Sequence, residues 1–128
     1  MPSQHDVSVL RSLAANVREI AELPIQEEKR RLWRRLNALQ PERPMVMIDQ
    51  VCWNELNTEE PLVLKCEDPE CRTYEQRLRR TLYQWEHFPA DMVVEPYISV
   101  SKAVYNTGFG VQVEEEVIAT SSVDGILA

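Results

Sequence analysis

Apolar positions in the first 40 residues recur at helical spacing and predict two helices. Across residues 6–23, apolar side chains recur at steps of three and four. Pro24 interrupts this pattern and suits the first turn of a second helix, predicted over residues 24–39. Acidic residues precede basic ones in this second helix, an order that the helix dipole favours. Residues 1–40 are therefore predicted to form a helical N-terminal region.

The longest amphipathic pattern of the chain covers residues 69–88. Asp68 is a favourable N-cap residue, and Pro69 suits the first helical position after it. The apolar residues that follow form one stripe at steps of three and four: Cys71, Tyr74, Leu78, Leu82, Trp85 and Phe88. This pattern predicts one long helix with a single buried side.

Two short apolar runs flank the long helix and predict strands. Residues 45–48 lie between a proline-rich loop and the polar pair Asp49-Gln50, and residues 91–96 form a similar run that contains Glu95. Neither run alternates between apolar and polar residues, which is typical of strands covered on both faces of a parallel sheet. The order strand, crossover helix, strand therefore predicts an α/β unit.

The predicted fold class is α/β, with N-terminal helices followed by the first βα units of an incomplete TIM-barrel-like fold. This partial barrel is predicted over residues 41–128, and a compact α+β fold is the alternative. Residues 111–118 partly alternate between apolar and polar side chains, which indicates an exposed β-arm.

Candidate substrate-binding residues follow from the ends of the two predicted strands. Parallel α/β sheets bind ligands at the carboxyl ends of their strands. Asp49 and Gln50 end the first predicted strand, and Glu95 and Tyr97 lie at the end of the second. A structural alternative remains open, in which Asp49 caps a turn and Glu95 pairs with an arginine. The spacing of serine, cysteine and histidine residues indicates no catalytic pair.

Net charge, the length of apolar runs and the cysteines limit the kinds of partner and the cellular compartment that we expect. The chain has 128 residues and a formal net charge of -7, which disfavours phosphate backbones and so nucleic acid. No apolar run approaches the roughly 20 residues that cross a bilayer, and the first residues lack signal-peptide features. These observations predict a cytoplasmic protein without a membrane partner. The cysteines, Cys52, Cys66 and Cys71, are expected to be reduced thiols in or near the core, with no metal site.

Residues 43–50 resemble the first barrel strand of uroporphyrinogen decarboxylases, in which a proline and an apolar run lead to the substrate site. Residues 91–116 resemble that family's second strand, with its small helix, glycine and β-arm. The helix predicted over residues 69–88 corresponds to the crossover between these strands. The resemblance covers roughly residues 33–118 in the order of elements.

Two departures from the family's pattern change the activity that the resemblance implies. Asp49 stands where the decarboxylases have an arginine that meets substrate carboxylates, and Glu95 belongs to a segment that replaces their Ser-Asp pair. An acidic rim repels a porphyrinogen with many carboxylates. The chain is more similar to the branch that moves methyl groups from small methylated compounds to a corrinoid protein or a thiol. For a full-length member, this resemblance implies zinc, held by later strands, and a corrinoid protein as partner.

The length of the chain limits the activity that such a fragment can have by itself. A complete barrel takes about 250 residues, so this chain supplies about two βα units and is expected to be inactive by itself. Its open sheet edge predicts a homo-oligomer or association with the remainder of the barrel. The alternative function is a non-catalytic α+β module, whose amphipathic helices form a homo-oligomer or an interaction surface.

Overall fold

The computed structural model describes residues 1–106, 108 and 110. The chain divides into two compact units, Met1–Tyr97 and Ile98–Ala128. The helices of the described residues all lie in the first unit: α1 (Gln4–Ala21), α2 (Pro24–Asn37), α3 (Trp53–Leu56), a 3₁₀ turn (Glu60–Leu62) and α4 (Pro69–His87). The three long helices confirm the helical predictions, with ends that differ by at most two residues.

Capping residues explain where the two packed helices begin. The Ser3 hydroxyl accepts a hydrogen bond from the Asp6 amide (3.0 Å), and the Asp6 carboxylate accepts one from the Ser3 amide (3.1 Å). This capping box satisfies two amides at the start of α1. At the start of α4, the Asp68 carboxylate accepts from the amides of Glu70 and Cys71 at 3.0 and 3.1 Å. Both helices therefore start where a short polar side chain can reach the first turn.

The core lies between α1 and α4, whose apolar stripes face each other. Its buried residues are Val17 and Ala21 of α1, Leu78 of α4, and Val94. Partly buried side chains surround them: Leu10, Leu13, Ile20, Leu82, Trp85 and Met92. Burial of a full aliphatic side chain contributes about 1.5–3 kcal/mol, so this helix pair holds the first unit together.

The predicted α/β class is wrong, and so is the α+β alternative, because the described residues contain helices and no strand. Residues 45–48 and 91–96 lie in two irregular segments, segment 44–50 and segment 91–97, rather than in βα-barrel strands. The β-arm predicted over residues 111–118 lies outside the described residues.

Side chains form hydrogen bonds with the backbone groups that would pair with another strand in a sheet. The Asp91 amide donates to the Val46 carbonyl (3.0 Å), but the Val46 amide donates to the Asp91 carboxylate (2.8 Å) instead of a carbonyl. Farther along, the Gln84 side chain donates to the Ile48 carbonyl at 2.7 Å. A ladder needs repeated bonds between two backbones, and here it stops after one.

The second irregular segment is held in the same way. The side-chain oxygen of Gln26, a fully buried residue of α2, accepts a hydrogen bond from the Val94 amide at 2.9 Å. The side-chain nitrogen of Gln26 donates to the Ile20 carbonyl at 3.2 Å. One buried amide therefore joins the end of α1 to segment 91–97 through α2. Within the described ranges, none of the helices has the length and apolar character needed to cross a bilayer.

Candidate functional site

Asp91 is the buried carboxylate that joins segment 44–50 to segment 91–97. Its side chain is held by two nitrogens of Arg43 (2.7 and 3.1 Å) and by the Val46 amide (2.8 Å), and the residue is only 7% exposed. The Arg43 guanidinium and then the Val46 amide lower the pKa of Asp91 to about 2. The carboxylate is therefore ionised at neutral pH and acts as a structural acceptor.

Helix α2 fixes the backbone on the other side of Asp91. The Lys29 ammonium donates to the Ala90 carbonyl at 2.7 Å and lies 5.1 Å from the centre of the Trp85 ring. The indole nitrogen of Trp33 donates to the Asp91 carbonyl at 2.8 Å. Ala90 has a φ of 44°, a left-handed conformation that costs about 1–3 kcal/mol for a residue other than glycine. These contacts hold the turn that begins segment 91–97.

A second buried carboxylate, Glu75, holds the loop before α4. It accepts hydrogen bonds from the amides of Lys65 and Cys66 and from the Arg79 side chain, each at 2.8 Å. Burial alone opposes ionisation, but these three donors outweigh it and lower the pKa of Glu75. The role of this carboxylate is therefore to satisfy loop amides.

The prediction that the cysteine thiols lie in or near the core is confirmed for two of them and is wrong for the third. Cys66 and Cys71 are buried, whereas Cys52 is exposed. Burial, followed by the nearby Glu75 carboxylate, raises the pKa of the Cys66 thiol to about 12. Burial also raises the pKa of Cys71. Both buried thiols are therefore protonated and poorly nucleophilic at neutral pH.

The four candidate substrate-binding residues share no described contact. Asp49 and Gln50 are exposed, and Tyr97 is 66% exposed. Glu95 forms two hydrogen bonds with Arg30, at 2.9 and 3.2 Å, which matches the arginine-pair alternative. The structure brings the starts of the two segments together at Val46 and Asp91, but no described hydrogen bond or ion pair links the four candidates.

The irregular segments carry large apolar side chains that remain exposed. On segment 44–50, Val46 and Met47 are exposed, Met47 by 62%, and segment 91–97 ends at Tyr97. Described residues of the second unit show the same feature: Ile98, Val100, Val104 and Tyr105. Exposed apolar side chains are common singly, but groups of them mark interaction surfaces.

An aromatic cluster that the sequence pattern did not predict lies where α3 meets the end of α4. The ring centres of Trp53, Tyr83 and Phe88 are 6.1–6.4 Å apart. The Arg80 guanidinium lies 5.1 Å from the Trp53 ring centre, and His87 stacks on Tyr83 at 4.0 Å. Positions 80, 83 and 87 repeat at steps of three and four, so the sequence does contain a second stripe on α4 that could have predicted this cluster.

A groove also opens between α1, the 3₁₀ turn and α4. Its volume is about 590 Å³, and its lining includes Leu13, Ile20, Leu82, Tyr83 and Trp85. In the part of the chain that the structure describes, no group of three or more histidine, cysteine, aspartate or glutamate residues could hold a metal ion.

Comparisons of the chain with protein-family models, curated proteins and solved structures find no match.

Proposed function

We propose that this chain is a docking module, without catalysis of its own, that binds a polypeptide partner through segments 44–50 and 91–97. The observation that carries this proposal is the exposure of Val46, Met47 and Tyr97 on two segments that side-chain hydrogen bonds fix at the amides of Val46 and Val94. A fixed backbone loses little conformational entropy on binding, so more of the contact energy becomes affinity.

The proposed partner is the catalytic part of a uroporphyrinogen decarboxylase-like methyltransferase. Support comes from the sequence resemblance of residues 43–50 and 91–116 to that family's first two barrel strands and the loop after them, although residues 45–48 and 91–96 form no strand here. In this proposal, Asp49, Gln50 and Tyr97 face the substrate side of the partner, while Glu95 remains paired with Arg30. The partner supplies the zinc ligands and transfers a methyl group from a small methylated compound to a corrinoid protein or a thiol.

The buried polar side chains support docking over catalysis by this chain. Asp91 and Glu75 use their oxygens to hold backbone amides, and the thiols of Cys66 and Cys71 have raised pKa values. A general base or nucleophile needs an available proton acceptor near the reacting atom. These groups are engaged in structure, whereas the exposed apolar residues are available for contact.

The direct test mixes the full chain with a uroporphyrinogen decarboxylase-like barrel protein expressed without its own N-terminal helices. Light scattering after size-exclusion chromatography is expected to show a complex of one chain with one barrel. Met47→Glu introduces a charge into the proposed contact and should weaken the complex by tenfold or more. Leu39→Glu, an equivalent change at a 90% exposed leucine on a different segment, serves as the control. No complex, or equal weakening by both variants, contradicts the proposal.

Self-association through the same residues is the second candidate, because exposed Met47 and Tyr97 favour a second copy as well. Light scattering of the chain alone separates the two candidates. A dimer that Met47→Glu dissociates favours the homo-oligomer, whereas a monomer that binds the barrel favours the methyltransferase module.

A further inference from the structure

Arg80 is a half-buried cation whose only described contact is an aromatic ring. Burial removes part of the hydration of its charged guanidinium, and this loss lowers the pKa of Arg80. Three other buried or half-buried charges in residues 1–97 have an opposite charge beside them: Asp91 with Arg43, Glu75 with Arg79, and Glu95 with Arg30. Two more are satisfied by backbone groups, since Asp6 accepts from amides and Lys29 donates to the Ala90 carbonyl. Arg80 forms no ion pair with any described carboxylate.

The position of the Trp53 ring determines how a ligand can approach Arg80. A guanidinium is planar and directs its N–H donors outward in that plane, so the ring that covers it is no substitute for an acceptor. A carboxylate binds these donors through two parallel hydrogen bonds. The rings of Tyr83 and Phe88 lie beside the Trp53 ring and add apolar surface to the cluster. A carboxylate beside these rings is less screened by water than one on an open surface.

We propose that the cluster of Trp53, Arg80, Tyr83 and Phe88 is a docking site for a polypeptide segment. This segment places an aspartate or glutamate side chain on the Arg80 guanidinium and an adjacent apolar side chain on the rings.

The partial exposure of the three rings favours a polypeptide over a small molecule. The rings of Trp53, Tyr83 and Phe88 are half-buried, and the groove of about 590 Å³ includes Tyr83 but neither Trp53 nor Arg80. Small-molecule sites enclose most of their ligand. Tryptophan, tyrosine and arginine are instead the residues that dominate the energy of protein interfaces.

Charge complementarity gives the site its selectivity. The chain has a net charge of -7, so an acidic partner is repelled in general and must be bound at a local positive centre. Arg80 provides such a centre, and no acid of the residues that the structure describes is paired with it. This inference rests on contacts of α3 and α4, and not on segments 44–50 and 91–97, so it can fail independently of the proposed function.

The test uses the full chain and a blocked pentapeptide, acetyl-Ala-Phe-Glu-Leu-Ala-amide, with its Glu-to-Gln analogue and free phenylpropionate as comparison ligands. Nuclear magnetic resonance follows the indole N–H of Trp53 and the Nε–H of Arg80. The Glu peptide is expected to shift both signals in a saturable way. The Gln analogue and phenylpropionate are each expected to bind about tenfold to a hundredfold more weakly, since the former lacks the charge and the latter lacks the flanking chain.

Variants establish that the guanidinium is responsible. Arg80→Gln is expected to lower the affinity for the Glu peptide by tenfold or more, and Arg80→Lys should fall between, because lysine keeps the charge without the paired donors. Arg11→Gln, at an exposed arginine of α1, should leave the affinity unchanged. The Arg80→Lys variant keeps the test valid if Arg80→Gln fails to fold.

Four results overturn the proposal: no saturable binding of the Glu peptide, equal binding of its Gln analogue, equal or tighter binding of phenylpropionate, or unchanged affinity in a folded Arg80→Gln or Arg80→Lys variant.

Discussion

Replacement of Asp91 by asparagine tests whether one buried carboxylate holds both irregular segments. The carboxylate accepts three hydrogen bonds, two from Arg43 and one from the Val46 amide. Asparagine has nearly the same shape but offers one acceptor oxygen, and its NH₂ group then faces an N–H donor. Asp91→Asn therefore leaves at least one donor without an acceptor in a site that is mostly closed to water.

The expected loss follows from these contacts. A buried donor left without an acceptor costs about 1–3 kcal/mol. The ion pair with Arg43 adds less than a buried pair would, because the Arg43 side chain is nearly half exposed and solvent screens it. We therefore expect Asp91→Asn to lower the free energy of unfolding by about 2–3 kcal/mol.

Urea denaturation, followed by tryptophan fluorescence and by circular dichroism, measures this change. Asp49→Asn is the matched control, since the same substitution at an exposed aspartate should change stability by less than about 0.5 kcal/mol. Asp91 does not hold the two segments if Asp91→Asn stays within that range, or if Asp49→Asn destabilises the protein as much.

Three further predictions follow from the same structure. The pKa values of Asp91 and Asp6 are lowered in the fold from 3.8 to about 2. Their stabilising effect is therefore complete above the pKa of the unfolded chain and is lost as the pH falls from about 4 to 2. The urea concentration at the unfolding midpoint should fall across this pH range, and an unchanged midpoint contradicts the assignment. Leu39 has a φ of 59°, a left-handed conformation that glycine adopts more easily, and the residue is 90% exposed. Leu39→Gly should therefore raise the free energy of unfolding, measured in urea, by about 0.5–1 kcal/mol. A lower free energy of unfolding means instead that Leu39 makes a stabilising contact. A thiol reagent should modify exposed Cys52 rapidly and buried Cys66 only on unfolding, as mass spectrometry of the labelled chain can show, and fast labelling of Cys66 in the fold refutes this.

Helix positions could be predicted from the sequence because the signals that start and stop a helix act over a few residues. Pro24 lies at the first position of α2, and the Asp68-Pro69 pair starts α4, as expected from N-cap and first-turn preferences. The apolar stripe that contains Leu78 indicated the buried side of α4, because residues three and four apart lie on the same face.

The predicted strands failed because a strand depends on a second backbone, which an apolar run cannot specify. Residues 45–48 and 91–96 have strand-like composition, yet the groups that would form a ladder bond to Asp91, Gln84 and Gln26. A short apolar run is equally compatible with any irregular segment that lies against helices. The tertiary structure therefore decided the fold class.

The candidate site shows the same division. Residue types alone marked Glu95 as a polar residue near the end of an apolar run, but only the fold shows that Arg30, 65 positions away in the chain, pairs with it. The sequence likewise contains Trp53 and Arg80 without indicating that the guanidinium lies on the indole ring. Helices are determined by hydrogen bonds and side-chain neighbours four residues apart, which the sequence displays directly. Pairings between distant side chains depend on how the helices pack, and only the tertiary structure decides them.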